Sequence, residues 1–209
     1  MYINSTTNDI YRAHHEIRSA FPNTSFPTVL TDEILADFNV FHVVGAPPAF
    51  DAITQTISEQ APVNVDGVWT RQWSVDTLPQ QQAEANRAAA RAAKWEAIMA
   101  ERDRRKALGV KVGDHWYHSD ADSRIQQISL FVMGASVPPI PWKTLTTTPP
   151  PVFVTMTQTI AAGIFQNTAA SDAAIFAAAE AHRIAMEASP TPETYDFTGG
   201  WPVSIEDAP

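Results

Sequence analysis

Alanine falls into two blocks: of 32 alanines, 9 lie between Ala83 and Ala100 and 12 between Ala161 and Ala188. Alanine is the strongest intrinsic helix former, so both blocks predict helices and the remaining fold has to be built around them. The first helix opens near Asp76 or Thr77, with Pro79 in its first turn. It ends in Arg102, Arg104, Arg105 and Lys106, followed by Gly109, matching known preferences at helix ends. A helix of about 29 residues is roughly 43 Å long at 1.5 Å per residue. Its larger apolar residues are Trp95, Ile98, Met99 and Leu108, beside the small Ala88, Ala92 and Ala93. So thin a stripe cannot hold a long helix by itself; it requires close packing against another helix, from this chain or a neighbouring copy.

The second block reads as two helices, because the polar residues of 167–172 interrupt the pattern and Ser171 is a suitable N-cap. Met156, Ile160 and Ile164 share a face of the earlier piece; Ile175, Ala179, His182 and Met186 share a face of the later one, which stops before Ser189-Pro190. Between the blocks, residues 110–118 read as a hairpin turning at Gly113-Asp114. The expected order is helix, hairpin, helix.

Residues 1–78 differ in character, with short extended runs between turn residues. Thr31-Asp32-Glu33 caps a brief helix carrying Ile34, Leu35 and Phe38, and a strand follows from Val40 to Val44. Asp66-Gly67 is a tight-turn signal, after which Trp69, Arg71, Trp73 and Val75 fall on one strand face. From Pro190 onward, prolines and Gly199-Gly200 separate Tyr195, Phe197 and Trp201, so this stretch forms no core of its own and its aromatics dock on something else. The predicted class is α+β: a turn-rich β module over residues 1–78, a helix-hairpin-helix module over 79–189, and an extended tail over 190–209. Trp95, Met99, Tyr195, Phe197 and Trp201 are the candidate interaction residues.

Charge narrows the partners. Lys+Arg 14 against Asp+Glu 23 gives a net charge of -9, which argues against gripping a nucleic-acid backbone. Residues 79–112 nonetheless carry 8 basic and 4 acidic side chains, a local +4 that leaves -13 on the rest. These basic residues either complement the helix C-terminal dipole or face acidic surfaces of this module or of neighbouring subunits. The uncharged run from Thr144 to Ser171 is long enough to span a bilayer, but Pro149-Pro150-Pro151 and its Thr, Gln and Asn residues are wrong for a spanning helix, so no membrane partner is expected. No basic and apolar leader opens the sequence. Without cysteine there is no disulfide, thiolate metal site or cysteine nucleophile. Sequons at Asn4 and Asn23 read as chance matches.

His115-x-x-His118 with Asp120 and Asp122 is the one grouping with metal-ligand chemistry. Two histidines at that spacing on a strand point to opposite faces, and Asp120-x-Asp122 lacks the remaining ligands of a calcium loop. The preferred reading is a structural turn in which Asp120 and Asp122 cap the loop and Ser123 or Arg124 bonds locally. No nucleophile elbow or phosphate loop is present. No catalytic, cofactor-binding or metal residues are therefore assigned, the chain is expected not to be an enzyme, and a metal-assisted hydrolase on His115, His118, Asp120 and Asp122 is the least favoured alternative.

The segment from Ala100-Glu101-Arg102-Asp103-Arg104-Arg105 through Gly109-Val110-Lys111-Val112 to Trp116-Tyr117-His118-Ser119-Asp120-Ala121-Asp122-Ser123-Arg124-Ile125-Gln126 resembles a family of unknown biochemical function common in bacteriophage tail-fibre and tail-assembly proteins. Pro141-Trp142-Lys143-Thr144 and the helical end with Phe176, His182 and Ile184 fit it too, so the resemblance covers roughly residues 80–189. Its most specific part is the run His118-Ser119-Asp120-Ala121-Asp122-Ser123-Arg124. The front portion is similar to modules of tail-fibre proteins through Ile17-Arg18, residues 21–27 and Val65-Asp66-Gly67-Val68-Trp69. The resemblance implies a structural virion component at the tail, made in the host cytoplasm. The thin helical rod, the β module and the aromatic tail suit a subunit of an assembly, so a homo-oligomer contacting other tail proteins is expected. The alternative left open is a tail-fibre assembly chaperone, and the resemblance transfers no active-site residue.

Overall fold

The computed structural model describes residues 1–147 and 149–207. Helix makes up 45% and strand 21%, the latter including a curled mixed sheet, so the class is α+β as expected. Two compact units divide the chain, Met1–Asn86 and Arg87–Pro209.

The first unit opens with β1 (Tyr2–Asn4), β2 (Ile10–Tyr11), α1 (His14–Ala20), α2 (Asp32–Ala36) and β3 (Val40–Val44), then the long pair β4 (Gln55–Val65) and β5 (Val68–Thr77). Its sheet has the order β2-β1-β3-β5-β4, antiparallel except where β3 runs parallel to β5. The local signals act as expected. Thr31 caps α2 by accepting from the Ile34 N–H, and Asp66 and Gly67 both take positive φ at the β4–β5 turn, where the Gly67 N–H donates to the Asn64 side chain at 2.9 Å. Ile17, Leu35 and Val40 are buried with Tyr11 and Leu30 beneath the packed rings of Phe21, Phe26 and Phe38. The Arg18 guanidinium donates to the carbonyls of Phe26, Pro27 and Thr28, which ties the intervening loop to α1.

Helix α3 (Gln80–Lys106) carries the chain across the division, which falls between Asn86 and Arg87 inside this helix. There follow β6 (Val110–Val112), β7 (His115–Tyr117), α4 (Ala121–Met133), the small pair β8 (Pro141–Lys143) and β9 (Phe153–Thr155), and α5 (Gln158–Ala188). The β6–β7 hairpin turns at Gly113-Asp114 as expected. One core gathers Val110, Tyr117, Leu130, Met156, Ala161 and Ile164; another gathers Ile98, Ala179 and Met186. Ile98 is the buried residue of α3 and meets Ala179 and Met186 of α5, so the partner that the thin α3 stripe requires is a helix of the same chain.

Three expectations are corrected. The second alanine block is one helix of 31 residues, not two, and Ser171 lies inside it rather than at an N-cap. The polar residues of 167–172 do not break the helix, because they reach sideways: Asn167 donates to the Lys111 carbonyl at 2.7 Å and Asp172 pairs with Arg124. Met156 lies ahead of that helix, buried between β9 and the Thr157 cap. The helix-hairpin-helix order also lacks α4 and the β8–β9 pair. Of the expected tail, Ala208 and Pro209 lie outside the described residues; residues 190–207 form two short 3-10 turns and belong to the second unit. No helix among the described residues is long and apolar enough to cross a membrane.

Candidate interaction surface

The run from His118 to Arg124 is a junction between helices. Ser119 is buried; its hydroxyl donates to the Lys106 carbonyl at the end of α3 at 2.6 Å and accepts from the Gly109 N–H at 2.8 Å. Asp120 is the N-cap of α4, accepting from the Ser123 N–H at 3.0 Å and the Ser123 hydroxyl at 2.6 Å. Those two bonds hold its carboxyl below the usual range. Arg124 donates to the carbonyls of Ser119 and Lys106 and makes a two-pronged pair with Asp172. One side chain thus fastens the end of α3, the start of α4 and the middle of α5. A shallow hollow of about 400 Å³ lies over this junction, lined by Asp103, Lys106, Ser119, Asp120 and Arg124. The polar groups that face it already have partners: Asp103 pairs with Arg102, the Lys106 ammonium lies over the Phe176 ring, and Asp120 accepts from Ser123.

His118 Nδ1 lies 3.9 Å from Asp120, while His115 sits at the far end of β7. Among the described residues no group of three or more His, Asp or Glu is placed to hold a metal ion. Asp120 and Ser123 make the local capping turn the sequence suggests, while Asp122 lies in the first turn of α4 and is not the cap.

The tail aromatics come together inside the second unit. Tyr195, Phe197 and Trp201, with Trp95 of α3, pack against Ile98, Ala179 and Met186; Met99 is half-buried outside that cluster. His182 joins them, its Nδ1 3.0 Å from the Tyr195 hydroxyl and its Nε2 2.8 Å from the Gly199 carbonyl. The Trp201 indole N–H donates to the Phe197 carbonyl at 2.7 Å. The basic end of α3 takes part: Arg105 lies over the Trp201 ring, Lys94 over Phe197, and Arg104 pairs with Glu206 at 2.7 Å. Lys94, Arg104 and Arg105 of α3 thus face acidic and aromatic groups of their own module.

A surface the sequence reading missed lies on α4 and the first half of α5. Ile125, Ile128, Phe131 and Val132 of α4 and Phe165 of α5 are exposed large apolar side chains, and the Phe131 and Phe165 rings stack at 4.5 Å and 5°. A groove of about 210 Å³ between the two helices is lined by Gln127, Ile128, Phe165, Thr168 and Ala169, with the Arg124–Asp172 pair at one end. The inner side of α4 holds Leu130 and, unusually, Gln127, whose amide donates to the His118 carbonyl at 2.6 Å. The amphipathic pattern is therefore inverted at these positions: the glutamine is inside and the isoleucines are outside. The signal available in sequence was the Asp120-x-x-Ser123 cap followed by apolar residues at 125, 128 and 132.

Residues 89–199 match a family described as Domain of unknown function (DUF4376). No curated protein and no solved structure matches the chain.

Proposed function

The chain belongs to the DUF4376 family, whose match spans more than half of it, and from that premise we propose that it is a structural component of a bacteriophage tail, either of a tail fibre or of an adaptor between fibre and tail or baseplate. It acts through protein–protein contacts in the virion, with other tail proteins and further copies of itself as partners, after synthesis in the host cytoplasm. The observation that carries a contact role is the exposed apolar face of α4 and α5, since solvated monomers seldom leave large apolar side chains clustered in the open. The tail assignment is supported by the resemblance of the His118-to-Arg124 run and its surroundings to tail-fibre proteins. That run builds a rigid three-helix junction, as a load-carrying part needs.

Quantitative mass spectrometry of purified tails tests the proposal. Copies in near-stoichiometric ratio to known tail subunits are expected. Absence from tails, with the chain retained in assembly extracts, replaces this reading with the assembly chaperone.

A further inference from the structure

We propose that the face made by α4 and the first half of α5 pairs two copies of this chain through a two-fold contact. Ile125 and Val132 are 64% and 76% exposed, and Ile128, Phe131 and Phe165 complete a continuous patch. With such side chains offering about 200 Å² each, the patch exposes on the order of 500 Å² of apolar surface. A specific interface needs about 800 Å² per partner. Ser129 lies between Ile125 and Val132 on the face, and the polar Gln126 and Thr168 beside it, with Ala169, add to the contact area, in the usual arrangement of apolar centre and polar rim.

Charge selects the occupant. From Ile125 to Ser171 the sequence contains a single charged residue, Lys143, in a chain of net charge -9. The Arg124–Asp172 pair at the end of the groove is engaged with itself, so a partner recognised by opposite charge would find no unpaired charge on this face. The matching surface must itself be apolar and uncharged, and the same face on a second copy is such a surface. Contact there also lets two acidic chains meet where their mutual repulsion is weakest. An isologous pair places the Phe131–Phe165 plate of each copy against the α4 ridge of the other, around a two-fold axis. The inference deepens the reading that the chain works through protein contacts, and does not depend on its place in a tail.

Sedimentation equilibrium of the full chain is expected to give twice the 22.9 kDa chain mass. Val132→Asp places a charge at the centre of each half and should weaken pairing more than about a hundredfold while leaving the far-UV spectrum unchanged. Val203→Asp, an equally exposed position in the tail segment, should leave it intact. Because the chain has no cysteine, Ser129→Cys supplies a unique thiol in the middle of the face; it should resist a bulky maleimide in concentrated solution and react on dilution. A monomer at every concentration up to about 1 mM, or an oligomer that Val132→Asp leaves intact and in which Cys at position 129 stays reactive, overturns the pairing. A monomer found in purified tails would overturn this inference alone; a dimer absent from tails would overturn only the tail assignment.

Discussion

Arg124 on α4 grips Asp172 at the middle of α5 with both terminal nitrogens, at 2.6 Å and 3.0 Å, while its remaining donors hold two backbone carbonyls, of Lys106 and Ser119. Each side chain of the pair is about three-quarters buried. Deleting the guanidinium leaves Asp172 without its cation, takes the Arg124 donor from the Ser119 carbonyl and leaves the Lys106 carbonyl with the Ser119 hydroxyl alone, a larger loss than that of a surface ion pair. Arg124→Ala should lower the stability of the second unit by about 2–3 kcal/mol in urea unfolding. Arg124→Lys should recover less than half, because one ammonium cannot span the carboxylate and two carbonyls. Equal stability of the lysine variant and wild type would remove the bidentate geometry from this account.

Asp120 adds a pH dependence. Its carboxyl is held below the usual range by the Ser123 hydroxyl and N–H, so the folded state binds that proton less readily than the unfolded chain. The stability it contributes is therefore complete above the ordinary aspartate value of about 4 and lost as pH falls through the lower folded value. Asp120→Asn keeps a capping side chain without a titrating group. It should flatten this part of the acid limb of the unfolding profile, while Asp120→Ala should cost about 1 kcal/mol at neutral pH. An unchanged acid limb in the asparagine variant would show that the carboxylate is not what titrates.

The tail segment should behave as part of the second unit. Trp201 covers Ile98, Ala179 and Met186 and is held by its bond to Phe197 and by Arg105 above its ring. Trp201→Ala should cost about 2 kcal/mol, less than a fully buried tryptophan because the ring is half-exposed. Removing residues 190–209 uncovers the same cluster and should cost more. Unchanged thermal unfolding after that truncation would mean that the aromatics add nothing to the stability of the helices beneath.

What was legible in the sequence was set by local chemistry. Thr31 and Asp66-Gly67 fix backbone geometry within a few residues, so α2, β3 and the β4–β5 turn follow from short windows. Alanine content likewise marks α3 and α5. What stayed hidden depends on distant partners. Asn167 and Asp172 read as a helix break until Lys111 and Arg124 are seen to receive them. Helix α4 stayed hidden because Gln127 is inside and Ile125 and Val132 outside, the reverse of the usual rule, so its period points to the wrong face. The β8–β9 pair joins Trp142 to Val154 across a proline-rich stretch without a tight-turn signal. The interaction surface was missed for the same reason as α4, since outward apolar residues look like core to a pattern that assumes one.

Gly163, within α5, tests how closely the hairpin sits on that helix. A β-carbon there would lie 2.8 Å from Cγ1 of Val112 on β6, nearer than such contacts occur. In an open helix, Gly→Ala gains about 1 kcal/mol, because alanine restricts the unfolded chain and favours the helix. At this position the added methyl meets a β-branched side chain with one preferred rotamer, in a core shared with Val110, Ile164 and Tyr117. The overpacking cost of about 1–3 kcal/mol should exceed the propensity gain. Gly163→Ala is therefore expected to destabilise the second unit by about 1 kcal/mol. Val112→Ala opens the space the methyl needs, so the double variant should be more stable than the sum of the two single effects by about 1–2 kcal/mol. A Gly163→Ala variant that unfolds at a higher urea concentration than wild type, or a double variant with purely additive effects, would mean that β6 yields easily and that the helix–hairpin approach is not close-packed.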